Sequence, residues 1–566
     1  MFVSRSPLDG RAAVGVTLGL LFALAAMVPA DGRAATARGT VFVDADGDGR
    51  RDASESGLGA VSVSNGRDVV RTDADGRWQL EARDGDVLFV SKPAGHRVPV
   101  DANGLPQFHY VHRPEGTPEE LELAYPGIEP TGPIPQSIDF ALIPHDEPTA
   151  YDVLLFADTQ PQSHVELDYI RDDVVVELLG TDALFGMTLG DILYDDLSLF
   201  PRYLEIVGAL GIPWHNVAGN HELNFLAPND ALSLETFKRY LGPPYYSFTV
   251  GRAHFVVLDD VIYDGTSRGR DDANVRGSNG YTGGFTEEQL GWLEADLAHV
   301  PDDHLVVVTM HIPLRSHLAP ESRGLNVLDR ERFFSILDDR EHLISFAGHT
   351  HIVEHHYFDE NDGWRGSEPL HQHVIPAVSG SWWTGPLDER GIPNAIQRDG
   401  VPNGHVVLSI DGNEAVAHFR GAGRPATEQM RIGFDRAFHQ LGASILRDYR
   451  PGELQAGPLL VDELPSTDVY VNLFNGGPRS SVEMRLNGGS WMPMRRAVRK
   501  DPFVVEHMAR HRDTMKGWVA PVDTEHLFFA DLPWTDLQPG VHRIEVRARD
   551  EYGVEHTGNR LFEVRR

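Results

Sequence analysis

The sequence predicts a multidomain protein in which an α/β core lies between two β-rich flanks, and three observations support this. The 566 residues are enough for about three or four domains of ~150 residues each. Short β-branched runs separated by Gly, Asp and Asn turns fill residues 38–148, which is typical of a small β-sandwich. From Tyr151 short apolar runs alternate with amphipathic stretches, as in layered strands and helices, and after residue 424 strands dominate again.

Each predicted element follows from its own residue pattern. The N-terminal flank has candidate strands at Thr40–Val43, Ala60–Ser64, Val69–Thr72, Trp78–Glu81, Val87–Ser91 and Ile138–Leu142. The core has candidate strands at Val153–Ala157, Ala183–Leu189, Pro213–Val217, Phe255–Leu258, Leu305–Thr309, Leu343–Ala347 and Val374–Ser379. Its candidate helices are Val165–Leu179, Leu197–Leu210, Thr286–His299 and Leu328–Leu337. The C-terminal flank has candidate strands at Val469–Leu473, Val482–Leu486, Leu527–Phe529 and Val541–Arg547.

The N-terminus predicts export. Arg5 and Arg11 precede an apolar run from Ala12 to Ala30, and small residues permit cleavage after Ala30 or Ala37, as in a secretory signal peptide. The alternative is a membrane anchor, because a run of ~19 residues is close to spanning length. We expect a periplasmic or secreted protein without a membrane span after cleavage. The predicted segments are a signal peptide (1–37), a β-sandwich (38–148), the core domain (149–424) and a β-rich domain (425–566).

Charge and cysteine content exclude several classes of protein. The formal net charge is −34, whereas a protein whose main partner is nucleic acid needs a basic footprint. The chain has no cysteine, which rules out disulfides, thiolate nucleophiles and cysteine zinc sites. Protein partners are not readable from the sequence.

Polar side chains follow five of the predicted core strands at the point where each strand ends. In open α/β sheets, ligands bind at the carboxyl ends of the strands. Carboxylate, amide and imidazole groups in such a place are the ligands that divalent metal ions take. Glycines precede several of them and permit tight turns and close approach. The five groups are Asp158-Thr159-Gln160, Gly190-Asp191, Gly219-Asn220-His221-Glu222, His311 and Gly348-His349-Thr350-His351.

This order of motifs resembles the calcineurin-like metallophosphoesterases, over roughly residues 151–410. The segments FTEEQLGWLEADL (285–297) and GSWWTGP (380–386) also resemble exported bacterial members with added N- and C-terminal domains. The resemblance implies a core built as a mixed β-sandwich flanked by helices. It also implies a phosphoesterase that uses a water activated by two metals on a small-molecule phosphate ester.

The same resemblance implies a role for each residue. One metal would take Asp158, Gln160, Asp191 and His351, and the other Asp191, Asn220, His311 and His349. His221 would be the general acid, with Glu222 as a possible orienting partner. The family usually has His at the position of Gln160 and Asp at that of Glu222. The metals would be manganese, iron or zinc, and the amide of Gln160 favours manganese or magnesium over zinc or iron(II).

The N-terminal flank contains a second candidate metal loop. Residues 44–55 match the spacing of a calcium loop, with Gly at position 6 and Glu at position 12. Flanking helices are absent, so the loop is not an EF-hand. We expect a calcium ion there, and the alternative is a solvated Asp-rich turn. The candidate ligands are Asp44, Asp46, Asp48, Arg50, Asp52 and Glu55.

Trp382 and Trp383 follow the predicted strand Val374–Ser379 and are candidates for lining a substrate pocket. Two functions fit the whole sequence. The first is an exported metal-dependent phosphoesterase, acting on monoesters or diesters. The second is a surface or periplasmic binding protein whose metal site is structural or inactive. The nearly complete ligand set and the presence of His221 favour the enzyme.

Overall fold

A computed structural model describes residues 35–265, 280–435, 458–530 and 537–566. Most of the predicted signal peptide, residues 1–34, lies outside the described residues. Within them, no helix has the length and apolar character needed to cross a membrane.

The N-terminal domain consists of two four-stranded sheets, which confirms the predicted β-sandwich. Their strand orders are β4-β1-β8-β6 and β3-β2-β5-β7. Alternate residues of β4 are buried, and Trp78 of this strand stacks on Phe140 across the sheet at 5.7 Å. The strands are β1 (Ala35–Val43), β2 (Ser62–Ser64), β3 (Val69–Arg71), β4 (Arg77–Ala82), β5 (Val87–Ser91), β6 (His96–Arg97), β7 (His109–Val111) and β8 (Phe140–Pro144).

The core domain contains two larger mixed sheets. Their strand orders are β11-β10-β9-β20-β21 and β12-β13-β16-β17-β19-β18. The strands are β9 (Ala150–Phe156), β10 (Phe185–Leu189), β11 (Trp214–Val217), β12 (Tyr246–Val250), β13 (Ala253–Val257), β14 (Val261–Tyr263), β15 (Tyr281–Gly283), β16 (Leu305–Thr309), β17 (Leu343–Ala347), β18 (Glu354–Phe358), β19 (Leu370–Val374), β20 (Gly404–Asp411) and β21 (Glu414–Gly421). Strands β9, β10 and β11 are parallel in the first sheet, and β13, β16, β17 and β19 are parallel in the second. Parallel pairing brings the carboxyl ends of these strands to one edge of each sheet.

Among the described residues of the core domain, five short α-helices accompany the two sheets. In α4 the Thr286 hydroxyl caps the Gln289 amide, and Leu290, Leu293 and Leu297 are buried, as expected for the predicted helix. The predicted helix Val165–Leu179 is α-helical only as far as Tyr169, and then continues as a wider turn and a 3₁₀ turn. The helices are α1 (His164–Tyr169), α2 (Phe200–Gly208), α3 (Glu235–Leu241), α4 (Glu287–Leu297) and α5 (Glu331–Leu337).

The predicted strand Val374–Ser379 is wrong. The strand at this place is β19, which ends at Val374. Its residues include the polar His371, Gln372 and His373, and the apolar residues after Val374 form a loop and a turn instead of a strand.

The C-terminal domain is strand-rich, as predicted, and has one helix among its described residues. Its larger sheets have the orders β22-β24-β30-β27 and β23-β32-β31-β25-β26. The elements are β22 (Met430–Asp435), β23 (Leu459–Leu460), β24 (Asp468–Leu473), β25 (Ser481–Leu486), β26 (Met492–Pro493), β27 (Arg495–Arg496), β28 (Arg499–Lys500), α6 (Pro502–Arg510), β29 (Asp523–Thr524), β30 (Leu527–Ala530), β31 (Gly540–Arg549) and β32 (Glu555–Arg565).

Both flanking domains pack directly on the core. On the N-terminal side, the Thr249 amide of β12 donates to the Lys92 carbonyl at 2.8 Å. On the C-terminal side, the buried carboxylate of Asp399 accepts from the Val353 amide at 2.7 Å and lies 3.2 Å from His526 Nε2. Val353 follows the Gly348–His351 loop by two residues, so one contact between the C-terminal domain and the loop of the candidate metal ligands passes through the carboxylate of Asp399.

Candidate metal centre

All seven predicted metal ligands lie together where the carboxyl ends of the core strands meet. Each comes from the loop directly after a strand, and six of the seven are almost completely buried. The strands that supply them are β9 (Asp158, Gln160), β10 (Asp191), β11 (Asn220), β16 (His311) and β17 (His349, His351).

Asp191 and two histidines form the tightest part of the cluster. Ligand atoms of Asp191, His311 and His349 lie within 4.8 Å of one another, which is close enough to hold a metal ion. His311 Nε2 is 3.1 Å from Asp191 Oδ1 and 3.1 Å from His349 Nδ1. Asn220 Oδ1 lies 3.2 Å from the same nitrogen. The four residues predicted for the second metal therefore present their ligand atoms to one point.

The residues predicted for the first metal contain buried polar atoms without partners. Gln160 donates from Nε2 to Asp191 Oδ2 at 2.7 Å, which leaves its Oε1 buried and unpaired. His351 Nε2 is also buried without a hydrogen-bond partner, 3.6 Å from Asp158 Oδ1. An unsatisfied buried polar atom costs about 1–3 kcal/mol. A divalent cation between these atoms would satisfy both, so the residues present fit a metal ion.

Main-chain carbonyl groups fix the orientation of the three imidazoles. His311 donates from Nδ1 to the Leu189 carbonyl at 2.9 Å, and His351 donates from Nδ1 to the Gly380 carbonyl at 2.6 Å. His349 uses the other nitrogen and donates from Nε2 to the Gly324 carbonyl at 2.8 Å. In each ring the remaining nitrogen, Nε2 of His311 and His351 and Nδ1 of His349, faces the cluster, where a metal ion would take the place of any proton on it. This is how proteins orient histidine ligands.

Electrostatics in the cluster favour a bound cation. Burial raises the pKa of Asp158 to about 7. Burial also acts to raise the pKa of Asp191, but His311 and His221 outweigh it and hold that pKa well below its usual range. Burial lowers the pKa of His311, but Asp191 and Asp158 outweigh it and raise it to about 10. The carboxylates thus keep His311 protonated, and a bound cation would supply the positive charge that this proton now provides.

The backbone of the cluster is strained. Five predicted ligands have positive φ: Asp158 (51°), Gln160 (38°), Asp191 (49°), His349 (75°) and His351 (52°). Non-glycine residues in this region cost of order 1–3 kcal/mol each, and such strain gathers at functional sites.

The predicted need for glycines is confirmed by close approach. A Cβ on Gly190 would lie 2.4 Å from His311 Nδ1, and one on Gly219 would lie 2.2 Å from the Asp191 amide. A Cβ on Gly348 would lie 2.6 Å from Asp158 Oδ2. Any side chain at these three positions would push the ligand loops apart.

His221 lies beside the cluster, and its partner differs from the expected one. Its Nδ1 is 2.7 Å from Asp195 Oδ1, and its Nε2 is 3.7 Å from Asp191 Oδ2. The carboxylate of Glu222 accepts instead from the amides of Leu193 and Gly219. Glu222 therefore holds two loops together and does not orient the ring.

Asp195 was missed by the sequence reasoning, although the acidic run in Gly190-Asp191-Ile192-Leu193-Tyr194-Asp195-Asp196 was a signal. The run is close to a predicted ligand, and a turn there brings an acid back toward the site. Burial lowers the pKa of His221, but Asp191 and Asp195 outweigh it and raise it to about 9. The ring also stacks on Tyr194, with 4.4 Å between centroids.

The two candidate pocket tryptophans have different surroundings. Trp382 is partly exposed and stacks on the ring of His351, with 3.9 Å between centroids. Trp383 is only 3% exposed and donates from Nε1 to the Thr159 carbonyl at 2.9 Å. Trp382 can therefore line an open pocket, whereas the expectation for Trp383 is wrong because this ring is in the core.

The calcium-type loop has the compact form expected from its spacing. The Asp44 carboxylate accepts from two glycine amides, and Glu55 accepts from the amides of Ala45 and Asp52. Asp52 itself accepts from Ser54, and Arg50 can offer only its carbonyl group. Calcium binding stays a prediction. The carboxylates that lie within 4.8 Å of one another are those of Asp44, Asp46 and Asp48.

Comparison with known proteins covers all three domains. The model for calcineurin-like phosphoesterases matches residues 151–353, a range that contains every predicted metal ligand and His221. The models for the N terminal and the C terminal of calcineurin-like phosphoesterase match residues 45–125 and 372–556.

Two curated proteins show partial similarity. Purple acid phosphatase 21 from Arabidopsis thaliana is 29% identical over 184 residues, which are 29% of this chain and 37% of the plant protein. The match therefore spans little more than a third of that relative. A probable glycerophosphodiester phosphodiesterase, GpdQ, from Arcobacter nitrofigilis is 23% identical over 208 residues, which are 34% of this chain and 69% of that protein.

Solved structures give more distant matches. A dimetal phosphatase from Danio rerio aligns at 18% identity with a TM-score of 0.31, over 47% of this chain and 98% of its own. The purple acid phosphatase PPD1 from yellow lupin aligns at 13% identity with a TM-score of 0.35, over 65% of this chain and 69% of its own. With the matches to all three family models, the chain belongs to the calcineurin-like phosphoesterases, a family of dimetal hydrolases, and carries that family's N-terminal and C-terminal domains around its core.

Proposed function

We propose that this chain is an exported phosphoesterase that hydrolyses small-molecule phosphate esters with a water activated by two divalent metal ions. The observation that carries the proposal is the convergence of three imidazole nitrogens on the carboxylates of Asp158 and Asp191. His311, His349 and His351 each lock one nitrogen on a carbonyl group and present the other to the cluster. A core that needed only hydrogen-bonded histidines would not leave these atoms facing one another.

We divide the donor set between two metal positions that share the carboxylate of Asp191. We assign Asp158, Gln160, Asp191 and His351 to the first metal, and Asp191, Asn220, His311 and His349 to the second. When bound, two such cations polarise the phosphoryl oxygens and make a water between them more acidic. Gln160 supplies a neutral oxygen where an imidazole would supply nitrogen. We therefore propose manganese for the first position in preference to zinc or iron(II).

His221 is the proposed general acid. Asp195 fixes the ring through Nδ1, so Nε2 faces the place where the leaving oxygen of the ester would lie. A protonated imidazole there can donate its proton to the departing alkoxide as the P–O bond breaks. A binding protein with an inactive site would have no use for this arrangement, so the pair supports the enzyme over the alternative.

Export is proposed from the N-terminal sequence alone. The two cleavage positions differ in their consequence for the N-terminal sheet. Ala35, Thr36 and Ala37 pair with β4 as the first residues of β1, and Ala37 is fully buried. Cleavage after Ala37 would remove three paired residues, so we propose cleavage after Ala30.

Metal analysis together with two ester substrates tests the proposal. The curated relatives include a named phosphatase and a probable phosphodiesterase, so both ester classes belong in the assay. The purified full-length mature protein should contain about two divalent metals per chain by elemental analysis. It should hydrolyse p-nitrophenyl phosphate, bis-p-nitrophenyl phosphate or both. Protein that binds no metal and stays inactive after manganese, zinc or iron is added would overturn the proposal in favour of a binding protein.

A further inference from the structure

Trp382 connects the predicted first metal position to two positively charged side chains. Its ring stacks on the ligand histidine His351, with 3.9 Å between centroids and 23° between planes. Arg398 lies over the same ring, with its guanidinium carbon 5.5 Å from the centroid. Lys516, which comes from the C-terminal domain, donates to the Trp382 carbonyl at 2.7 Å. Two cations therefore flank one residue beside the candidate metal centre.

Arg398 is a largely buried charge with unused hydrogen-bonding capacity. It donates from one terminal nitrogen to the Thr350 carbonyl at 2.7 Å, between the two ligand histidines of that loop. Its Nε is buried without a partner, and among the described residues no carboxylate lies within ion-pair distance of the guanidinium. Burial lowers the pKa of Arg398 despite attraction from Asp399 and Glu354. A buried charge is costly unless it is paired, and both of these carboxylates lie beyond ion-pair distance, so an anionic group within reach of the guanidinium would stabilise it.

Lys516 approaches Trp382 from the C-terminal domain. Its side chain is 19% exposed, and its ammonium group lies 3.3 Å from the Glu166 carboxylate. Glu166 in turn accepts from the amide of Gln162, two residues after Gln160. Lys516 thus lies between the loop that carries Gln160 and the ring that covers His351. The half-exposed Trp518 is next to it, with its ring centroid 6.0 Å from the ammonium nitrogen.

We propose that Arg398 and Lys516 form an anion subsite around Trp382, and that the substrates are phosphate esters whose alcohol part carries a second anionic group. The phosphoryl group would lie at the metals, and the second group, a carboxylate or another phosphate, would lie against these two cations. The subsite rests on the proposed phosphoesterase function and adds a substrate class to it. In a chain with a formal net charge of −34, such local cations would offset the repulsion of a substrate with two anionic groups.

Calorimetric titration of the manganese-loaded full-length mature protein tests the subsite without relying on turnover. The three probes are propylphosphonate, 3-phosphonopropionate and propane-1,3-diphosphonate, which have the same chain length. The first has one anionic group, the second adds a carboxylate and the third adds a second phosphonate. We expect at least one of the two doubly anionic probes to bind about tenfold or more tightly than propylphosphonate, as for a charge-assisted contact. The probe that binds more tightly identifies the second anionic group of the substrate as a carboxylate or a phosphate.

Variants attribute the preference to the named residues. Arg398→Gln and Lys516→Gln should each reduce the Kd ratio by about threefold or more, and Arg398→Lys should keep part of it. The matched control is Arg340→Gln, because Arg340 is also largely buried, donates to main-chain carbonyls and lies outside the candidate centre. If Arg398→Gln does not fold, Lys516→Gln still tests the ratio, since it keeps a donor for the Trp382 carbonyl.

The outcomes separate the subsite from the proposed function. Equal Kd values for all three probes, or a preference that survives in Arg398→Gln and Lys516→Gln, would overturn the subsite. If the protein then still hydrolyses either nitrophenyl ester, the phosphoesterase proposal stands alone. A preference that depends on both residues in a protein that hydrolyses neither ester would support the subsite and count against the proposed function.

Discussion

His221 and Asp195 are joined by a hydrogen bond of 2.7 Å between residues that lie 26 positions apart in the chain. The bond places the proton of His221 Nδ1 on the carboxylate side and turns Nε2 toward Asp191. Tyr194 stacks on the ring and limits its rotation. A ring fixed in this way can deliver a proton in one direction only.

Replacing Asp195 should weaken proton donation more than metal binding. We expect Asp195→Asn to lower kcat about tenfold or more for phenyl phosphate and less for p-nitrophenyl phosphate, because nitrophenolate leaves without a proton. Steady-state kinetics with both esters measures the difference. The neighbouring Asp196→Asn is the control, since Asp196 caps the turn at Ser198 and does not contact His221. Equal losses for both esters in Asp195→Asn would contradict the general-acid role.

Replacing Asp191 should remove both metals at once. Asp191→Asn loses the charge that the two groups of ligands share, so we expect turnover to fall below detection while the far-UV circular dichroism spectrum stays native. Elemental analysis should show fewer metal ions per chain than in the wild type. A variant that keeps full activity would show that Asp191 does not bridge two metals.

Exchanging Gln160 for histidine should change which metal the protein retains. Imidazole is a better ligand than an amide oxygen for zinc and iron(II), so Gln160→His should raise the zinc-to-manganese ratio after dialysis against an equal mixture of both. Elemental analysis measures this ratio. An unchanged ratio would mean that Gln160 does not coordinate, and that its orphaned Oε1 has another explanation.

Calcium should stabilise the N-terminal domain through the 44–55 loop. We expect added calcium to raise the Tm of the wild type and a chelator to lower it, because an ion that binds only the folded state stabilises it. In Asp46→Ala the shift should disappear. Asp68→Ala, at an acid in another turn of the same domain, serves as the control and should keep it. If calcium does not change the Tm of the wild type, the 44–55 loop is a solvated turn and does not bind calcium.

His405 should make the protein less stable in acid. Both of its ring nitrogens are buried without partners, and burial lowers its pKa from 6.5 to about 3. Below pH 6.5, His405 binds a proton in the unfolded chain but stays neutral in the folded chain. The free energy of unfolding is therefore unaffected by His405 above pH 6.5 and decreases as the pH falls toward 3. His405→Leu should therefore gain stability over the wild type, by up to about 2 kcal/mol at pH 5 relative to pH 7.5. Thermal unfolding of the variant and of the wild type at the two pH values measures the gain.

The sequence predicts those parts of the site that depend on short-range order. Each predicted ligand directly follows an apolar strand, and parallel pairing brings such positions together wherever the strands lie in the sheet. The resemblance implies Glu222 as the partner of His221, whereas the fold turns the Glu222 carboxylate toward two main-chain amides and brings Asp195 to the ring. Trp382 and Trp383 are adjacent too, and only the loop geometry decides that one ring is open and the other buried.

Arg398 and Lys516 could not be found from the sequence. Neither residue belongs to a motif. Arg398 is 16 positions and Lys516 is 134 positions from Trp382 in the sequence. The Lys516 contact depends on how two domains pack, and the Arg398 contact depends on how two loops of the core domain fold. Hydrophobic periodicity and turn motifs in the sequence do not predict such long-range contacts.

At the five ligand positions with left-handed backbone, the residue that folds with least strain is not the residue that can bind a metal ion. Glycine would adopt these φ values at no steric cost, so a sequence optimised for folding alone would put glycine at Asp158, Gln160, Asp191, His349 and His351. Every such change would remove a donor atom from the centre. Selection of variants for thermal stability alone would therefore favour glycine at these metal-ligand positions. The most stable variants would then bind metal least well and be the least active.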